Sequence, residues 1–109
     1  MSITNVTLTT SPANVYVSNG NTAITFMSFC NFSAGNVVAN VYVVPDGGSA
    51  GNSTIILTGI ELSASGANTG DTYQIYSGGE KLLLGNGDTV QADATANSAI
   101  TVVTSYTTI

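Results

Sequence analysis

Lys81 is the one basic side chain in 109 residues; there is no Arg and no His. Most enzymes place such a group at the reacting atom, to move a proton or to hold a developing charge. A serine or threonine nucleophile needs a neighbouring base, and the many hydroxyls here have no His to serve them. The carboxylates Asp46, Glu61, Asp71, Glu80, Asp88 and Asp93 are scattered rather than paired. That does not suggest the two facing carboxyls of a glycosidase. Glu80 and Lys81 are adjacent, and adjacent side chains on a strand point to opposite faces. The chain reads as having no catalytic residues and as not being an enzyme.

Metal and thiol chemistry fare no better. Oxygen ligands are the only kind present in number, so calcium is the metal to weigh. Asp46 beside the glycine-rich stretch 45–53, or Asp71 with Asp88, are the places for it. No EF-hand spacing exists. Asp71 and Asp88 each follow Gly and precede Thr, a placement that side-chain bonding within a turn explains without a metal. Zinc would need Cys or His ligands, and Cys30 stands alone. No cofactor and no metal is expected. Cys30 lies in an apolar run and reads as a small buried hydrophobe in a chain made in a reducing cytosol. Tyr16, Tyr42, Tyr73, Tyr76 and Tyr106 offer rings for stacking on sugars. Tyr alternating with Val is, however, the usual pattern of half-buried strand packing.

Composition narrows the partners. Charged residues make 6 % of the chain, against about 25 % in ordinary soluble domains. The formal net charge is −5, which disfavours nucleic acid and anionic membrane surfaces. No basic and apolar leader precedes the first strand pattern, so synthesis in the cytoplasm without a secretion signal is expected. No apolar run approaches the ~18 residues of a membrane helix. Glycosylation-type triplets begin at Asn5, Asn31 and Asn52; in so Asn-, Ser- and Thr-rich a chain they read as chance.

The elements that must position these side chains are strands. Val, Ile, Thr and Tyr dominate, and turn residues punctuate the chain at short intervals. The pattern predicts strands near 3–10, 15–17, 23–32, 37–44, 54–62, 72–76, 80–84, 90–94 and 99–109. Allowing for the shortest, that is about eight strands and no helix. One domain spanning 1–109 is expected, an all-β antiparallel β-sandwich with jelly-roll or immunoglobulin-like Greek-key connections. The Cys and Trp hallmark of antibody domains is absent.

Several strands carry more apolar positions than one buried face needs. In 23–32, Ile24, Phe26 and Cys30 fall on one side and Met27 and Phe29 on the other. In 54–62, Ile56, Ile60 and Leu62 share a face, leaving Ile55 and Leu57 on the opposite one. A spare apolar face needs a partner or becomes an aggregation hazard. Val15, Val17, Ile55, Leu57 and Leu83 are therefore the candidate interface residues, and self-association is expected.

The stretch from about Asn40 to Ile109 resembles small virion structural proteins of tailed bacteriophages, including those of cyanobacteria and marine bacteria. The likeness lies in Val41-Tyr42-Val43-Val44-Pro45-Asp46-Gly47-Gly48-Ser49-Ala50, Glu80-Lys81-Leu82-Leu83-Leu84, Gly87-Asp88-Thr89-Val90-Gln91-Ala92 and the closing strand with Ile100-Thr101-Val102. The resemblance implies a β-sandwich repeated many times on a capsid, neck or tail. A capsid decoration or cement protein that binds the major capsid protein or other virion proteins is the leading expectation, with a homotrimer favoured. The alternative is a neck, tail or fibre-tip component that binds a host-surface glycan. The resemblance supplies no catalytic residue.

Overall fold

A computed structural model describes residues 2–63, 72–75 and 81–109. These residues form nine strands and no helix: β1 (Ser2–Thr7), β2 (Ala13–Val17), β3 (Thr22–Asn31), β4 (Val37–Val44), β5 (Ile55–Leu62), β6 (Thr72–Ile75), β7 (Leu82–Leu84), β8 (Thr89–Ala94) and β9 (Ile100–Thr108). One sheet runs β1-β9-β3-β6, with β7 also on β3; the other runs β2-β8-β4-β5. All pairings are antiparallel.

β6 and β7 share one edge position of the sheet, beside β3. Ile75 sits opposite Met27 and Leu82 opposite Ile24, so both segments line the same side of β3 in the same direction. Counted as one, they leave eight strands paired about the β4–β5 ribbon: β1 with β9, β2 with β8, β3 with β6 and β7, β4 with β5. That is the strand order of a jelly roll, which settles the choice between the two Greek-key forms.

Turn chemistry sets the corners. Gly20 (φ 75°) sits between β2 and β3, and Gly87 (φ 86°) between β7 and β8. Pro45 ends β4, and Gly48 N–H donates to Pro45 O at 2.9 Å. The first strand ends at Thr7, short of the expected residue 10, because the chain changes sheets there. Leu8 N–H still donates to Ile100 O of the first sheet, while Thr9 O accepts Ala94 N–H of the second.

The core lies between the sheets. The five-stranded sheet supplies Ile24, Met27, Phe29, Ile100 and Val102; the other supplies Val37, Ala39, Val41, Val90, Ala92 and Ala94. Large side chains on one sheet thus meet many small ones on the other, which suits close packing. Bulges decide what faces inward. In β3 the register shifts between Ile24 and Phe26. Ile24 therefore joins Met27 and Phe29 in the core instead of sharing a face with Phe26 and Cys30. In β5, Ala39 pairs Ile60 but Val41 pairs Leu57, so Thr58 and Gly59 together oppose Asn40. Gly59 takes the required positive φ of 69°. Leu57 and Ile60 both pack on the core as a result, and Ile56 is exposed; this corrects the face assignment drawn from simple alternation.

One inward hydroxyl has no partner. Thr104 is fully buried and its Oγ1 makes no hydrogen bond among the described residues. A buried unsatisfied hydroxyl costs about 1–3 kcal/mol. Thr104→Val keeps the shape and removes the hydroxyl, so the thermal midpoint should rise by about 5 °C, using 4–8 °C per kcal/mol for a domain of this size. Calorimetry checks this; a fall in the midpoint would mean that the hydroxyl is bonded.

Candidate functional site

The acidic groups hold the fold together. Asp88 accepts Gly85 N–H on Oδ2 and Asp46 N–H on Oδ1, both at 2.9 Å. Its carboxylate therefore closes its own turn and ties the end of β4 to it. Of the two calcium readings, Asp46 with the 45–53 stretch and Asp71 with Asp88, neither pairs Asp46 with Asp88, which meet here through the Asp46 backbone amide. Asp71 lies outside the described residues. Among the described residues there is no group of three His, Cys, Asp or Glu side chains placed to hold a metal. Lys81 is exposed, just before β7.

On the outer face of the four-stranded sheet, Asp93 organises a polar patch. Asn40 Nδ2 donates to Asp93 Oδ1 at 2.9 Å and Tyr42 OH to Asp93 Oδ2 at 3.0 Å. Asn40 Oδ1 in turn accepts Thr58 Oγ1–H and Gly59 N–H, each at 3.0 Å. The amide thus fastens the β5 bulge from outside. Burial, reinforced by the hydrogen bond to Asp93 and by its charge, pushes the Tyr42 phenol above its ordinary pKa. A buried ring cannot serve as a stacking platform. Tyr16 and Tyr106 pack on each other with centroids 4.5 Å apart, and Tyr16 OH donates to Thr22 Oγ1 at 3.2 Å. Tyr73 is partly exposed on the edge strand β6; Tyr76 lies outside the described residues.

The outer face of the five-stranded sheet is different. Its cross-strand rows are Ile3–Ser105–Phe26, Asn5–Val103–Ser28 and Thr7–Thr101–Cys30. None of these side chains is charged. Ile3 is 72 % exposed, and Cys30 is half-buried beside Thr101 rather than in the core. Leu83, opposite Ala23, adds a 66 % exposed side chain to this sheet. Glu61 and Asp93 lie on the other sheet and Asp46 and Asp88 at the turns. The described acidic groups therefore lie off these rows.

The five candidate interface residues do not form one patch. Val17 is 51 % exposed on β2 and Leu83 is exposed on β7, in different sheets. Ile55 is half-buried beside Tyr42. Val15 is buried and Leu57 is half-buried. Val15 is the extra residue of a bulge, since Asn14 pairs Gln91 while Tyr16 pairs Val90, and it is only 5 % exposed in the core. Leu57 packs against the core through the Gly59 bulge. Sequence reasoning placed Phe26 on an apolar face with Ile24 and Cys30 but passed over Ile3 and Val103, each of which stands alone among polar neighbours on its side of the strand. Pairing three such strands side by side is what gathers them.

Comparison with protein families, with curated proteins and with solved structures returns no match to this chain.

Proposed function

We propose that this protein is a non-enzymatic structural component of a bacteriophage virion, acting as a capsid decoration or cement protein. The observation that carries the structural role is the set of uncharged β1–β9–β3 rows on the outer face of the five-stranded sheet, with Ile3 and Leu83 exposed on that sheet, on a chain of net charge −5. Rows that carry no carboxylate among the described residues can meet a shell or a neighbouring subunit without like-charge repulsion there. The virion assignment rests on the resemblance of the 40–109 stretch. The jelly roll is compatible with it but serves lectins as well as shells, so the fold alone does not decide. Many copies bound across capsomer junctions would add interface area and stabilise the shell by mass action. The glycan-binding alternative would lean on tyrosine rings, and Tyr16, Tyr42 and Tyr106 are engaged in internal contacts.

Quantitative mass spectrometry of purified particles tests the assignment. Decoration requires a copy number comparable to that of the major capsid protein. A few copies per particle would move the protein to the neck or tail, and absence from the particle would end the virion reading.

A further inference from the structure

We propose that two copies of this chain pair through the outer edge of β1, joining their five-stranded sheets into one continuous sheet across a two-fold axis. The proposal is independent of the virion reading. It starts from backbone groups. β1 pairs β9 without a register shift from Ser2–Tyr106 to Thr7–Thr101. Leu8 N–H donates to Ile100 O and continues this ladder. An antiparallel ladder turns the N–H and C=O of alternate residues toward the partner and the others away. The residues in phase with Leu8 thus bond β9, and those of Ile3, Asn5 and Thr7 point outward. β1 ends its sheet, and among the described residues nothing bonds these outward groups.

The other edges are blunted. β5 is broken by register shifts on both sides of Val41 and carries Glu61. β2 has the bulge at Val15. The opposite edge of this sheet is taken by two short segments, β6 of 4 residues and β7 of 3. Bulges, charges and short segments are the usual protection of an exposed edge. β1, Ser-Ile-Thr-Asn-Val-Thr, has no bulge, no charge and no proline.

A second copy fits this edge better than a foreign strand would need to. With Asn5 opposite Asn5 of the other copy, Ile3 falls opposite Thr7 and Thr7 opposite Ile3. Every outward residue then exchanges both of its hydrogen bonds, and the contact closes on itself. Neutrality matters as much as register. Each copy carries a net charge of −5, so self-pairing is best tolerated where no carboxylate is brought face to face. The join also places the uncharged β1–β9–β3 rows of the two copies side by side, with both exposed Ile3 side chains near the seam. A two-fold pair, rather than a trimer, is what an edge meeting itself builds.

Sedimentation of the full chain, with concentration-dependent amide exchange by NMR, tests the pairing. Wild type should be dimeric at about 100 μM, a modest affinity on the micromolar scale. The amides of Ile3, Asn5 and Thr7 should gain protection as concentration rises, while those of Thr4 and Val6 stay protected throughout. Asn5→Pro removes an outward N–H and no bond to β9, so it should sediment as a folded monomer. Asn5→Asp sets two carboxylates opposite each other on the axis. It should weaken dimerisation at least tenfold, and salt should partly restore it. Should Asn5→Pro misfold, the Asn5→Asp and exchange measurements still decide. A wild-type monomer throughout the range overturns the proposal. So does a dimer that Asn5→Asp leaves intact and that leaves the three amides exchanging at the monomer rate.

Discussion

Asn31→Leu should lower stability by about 3 kcal/mol, roughly two unsatisfied buried groups at 1–3 kcal/mol each. The thermal midpoint should fall by about 15 °C at the 4–8 °C per kcal/mol of a domain this size. Asn31 is fully buried at the end of β3. Its Nδ2 donates to Gly35 O and Leu62 O at 2.9 Å and to Ser63 O at 3.1 Å. Its Oδ1 accepts Ser33 N–H at 2.9 Å and Ser33 Oγ–H at 2.7 Å. One amide therefore ties the end of a strand in one sheet to the end of β5 in the other and to the turn between β3 and β4. Leucine fills a similar volume but leaves those carbonyls and the Ser33 N–H without it. The same bonds deny the Asn31 triplet to any glycan in the folded state.

Asn31→Asp separates charge from shape. One carboxyl oxygen would face the three carbonyls that now accept from the amide. The folded state then favours the protonated acid, so the introduced group has a folded pKa raised above its unfolded value, ~3.9 for Asp. Above that value the unfolded chain loses the proton while the folded chain retains it, so stability falls as pH rises. Denaturant midpoints at pH 4 and pH 7 should differ for Asn31→Asp more than for wild type. Asn52→Leu, at an exposed position, should stay within about 0.5 kcal/mol of wild type. If Asn31→Leu matched Asn52→Leu, the buried amide would not be the link between the sheets.

Much of the architecture was legible because strands and turns write themselves in local patterns. Val37–Val44 alternates cleanly and stops at Pro45, and its observed bounds are the expected ones. Asn19-Gly20-Asn21 and 85–88 are turns where expected. What failed was parity. Each strand face was read by counting in twos, and a bulge adds one to the count. Val15, Ile24 and Leu57 all changed sides for that reason. Gly59 inside β5 was the available signal, since a glycine within a strand often marks a bulge. Asn31 was hidden by its type. In a sequence crowded with Asn, nothing local separates a surface amide from one that bonds three carbonyls up to 32 residues away. The uncharged rows were hidden by topology, because β1, β9 and β3 come from distant parts of the chain.

Gly87→Ala should cost about 2–3 kcal/mol, while Gly20→Ala should cost about 1 kcal/mol, the usual penalty for a left-handed conformation. The two glycines share the backbone problem, with φ of 86° and 75°. Their surroundings differ. A Cβ on Gly20 meets nothing within 4 Å, whereas one on Gly87 would lie 2.5 Å from Asp46 Cγ and 3.0 Å from Asp46 Cβ. Rotating the Asp46 side chain moves the first atom but not the second, so the backbone after Pro45 has to shift. That shift strains the bond from Asp46 N–H to Asp88 Oδ1, and with it the bond from Gly85 N–H to the same carboxylate. Gly87 N–H also donates to Ser18 O at 2.9 Å, so three connections at this end of the sandwich would loosen together. Denaturant unfolding of Gly87→Ala, Asp46→Gly and the double variant forms a cycle. Removing the Asp46 side chain should bring the cost of Gly87→Ala down to that of Gly20→Ala. A Gly87→Ala cost unchanged in the Asp46→Gly background would locate the penalty in the backbone conformation alone.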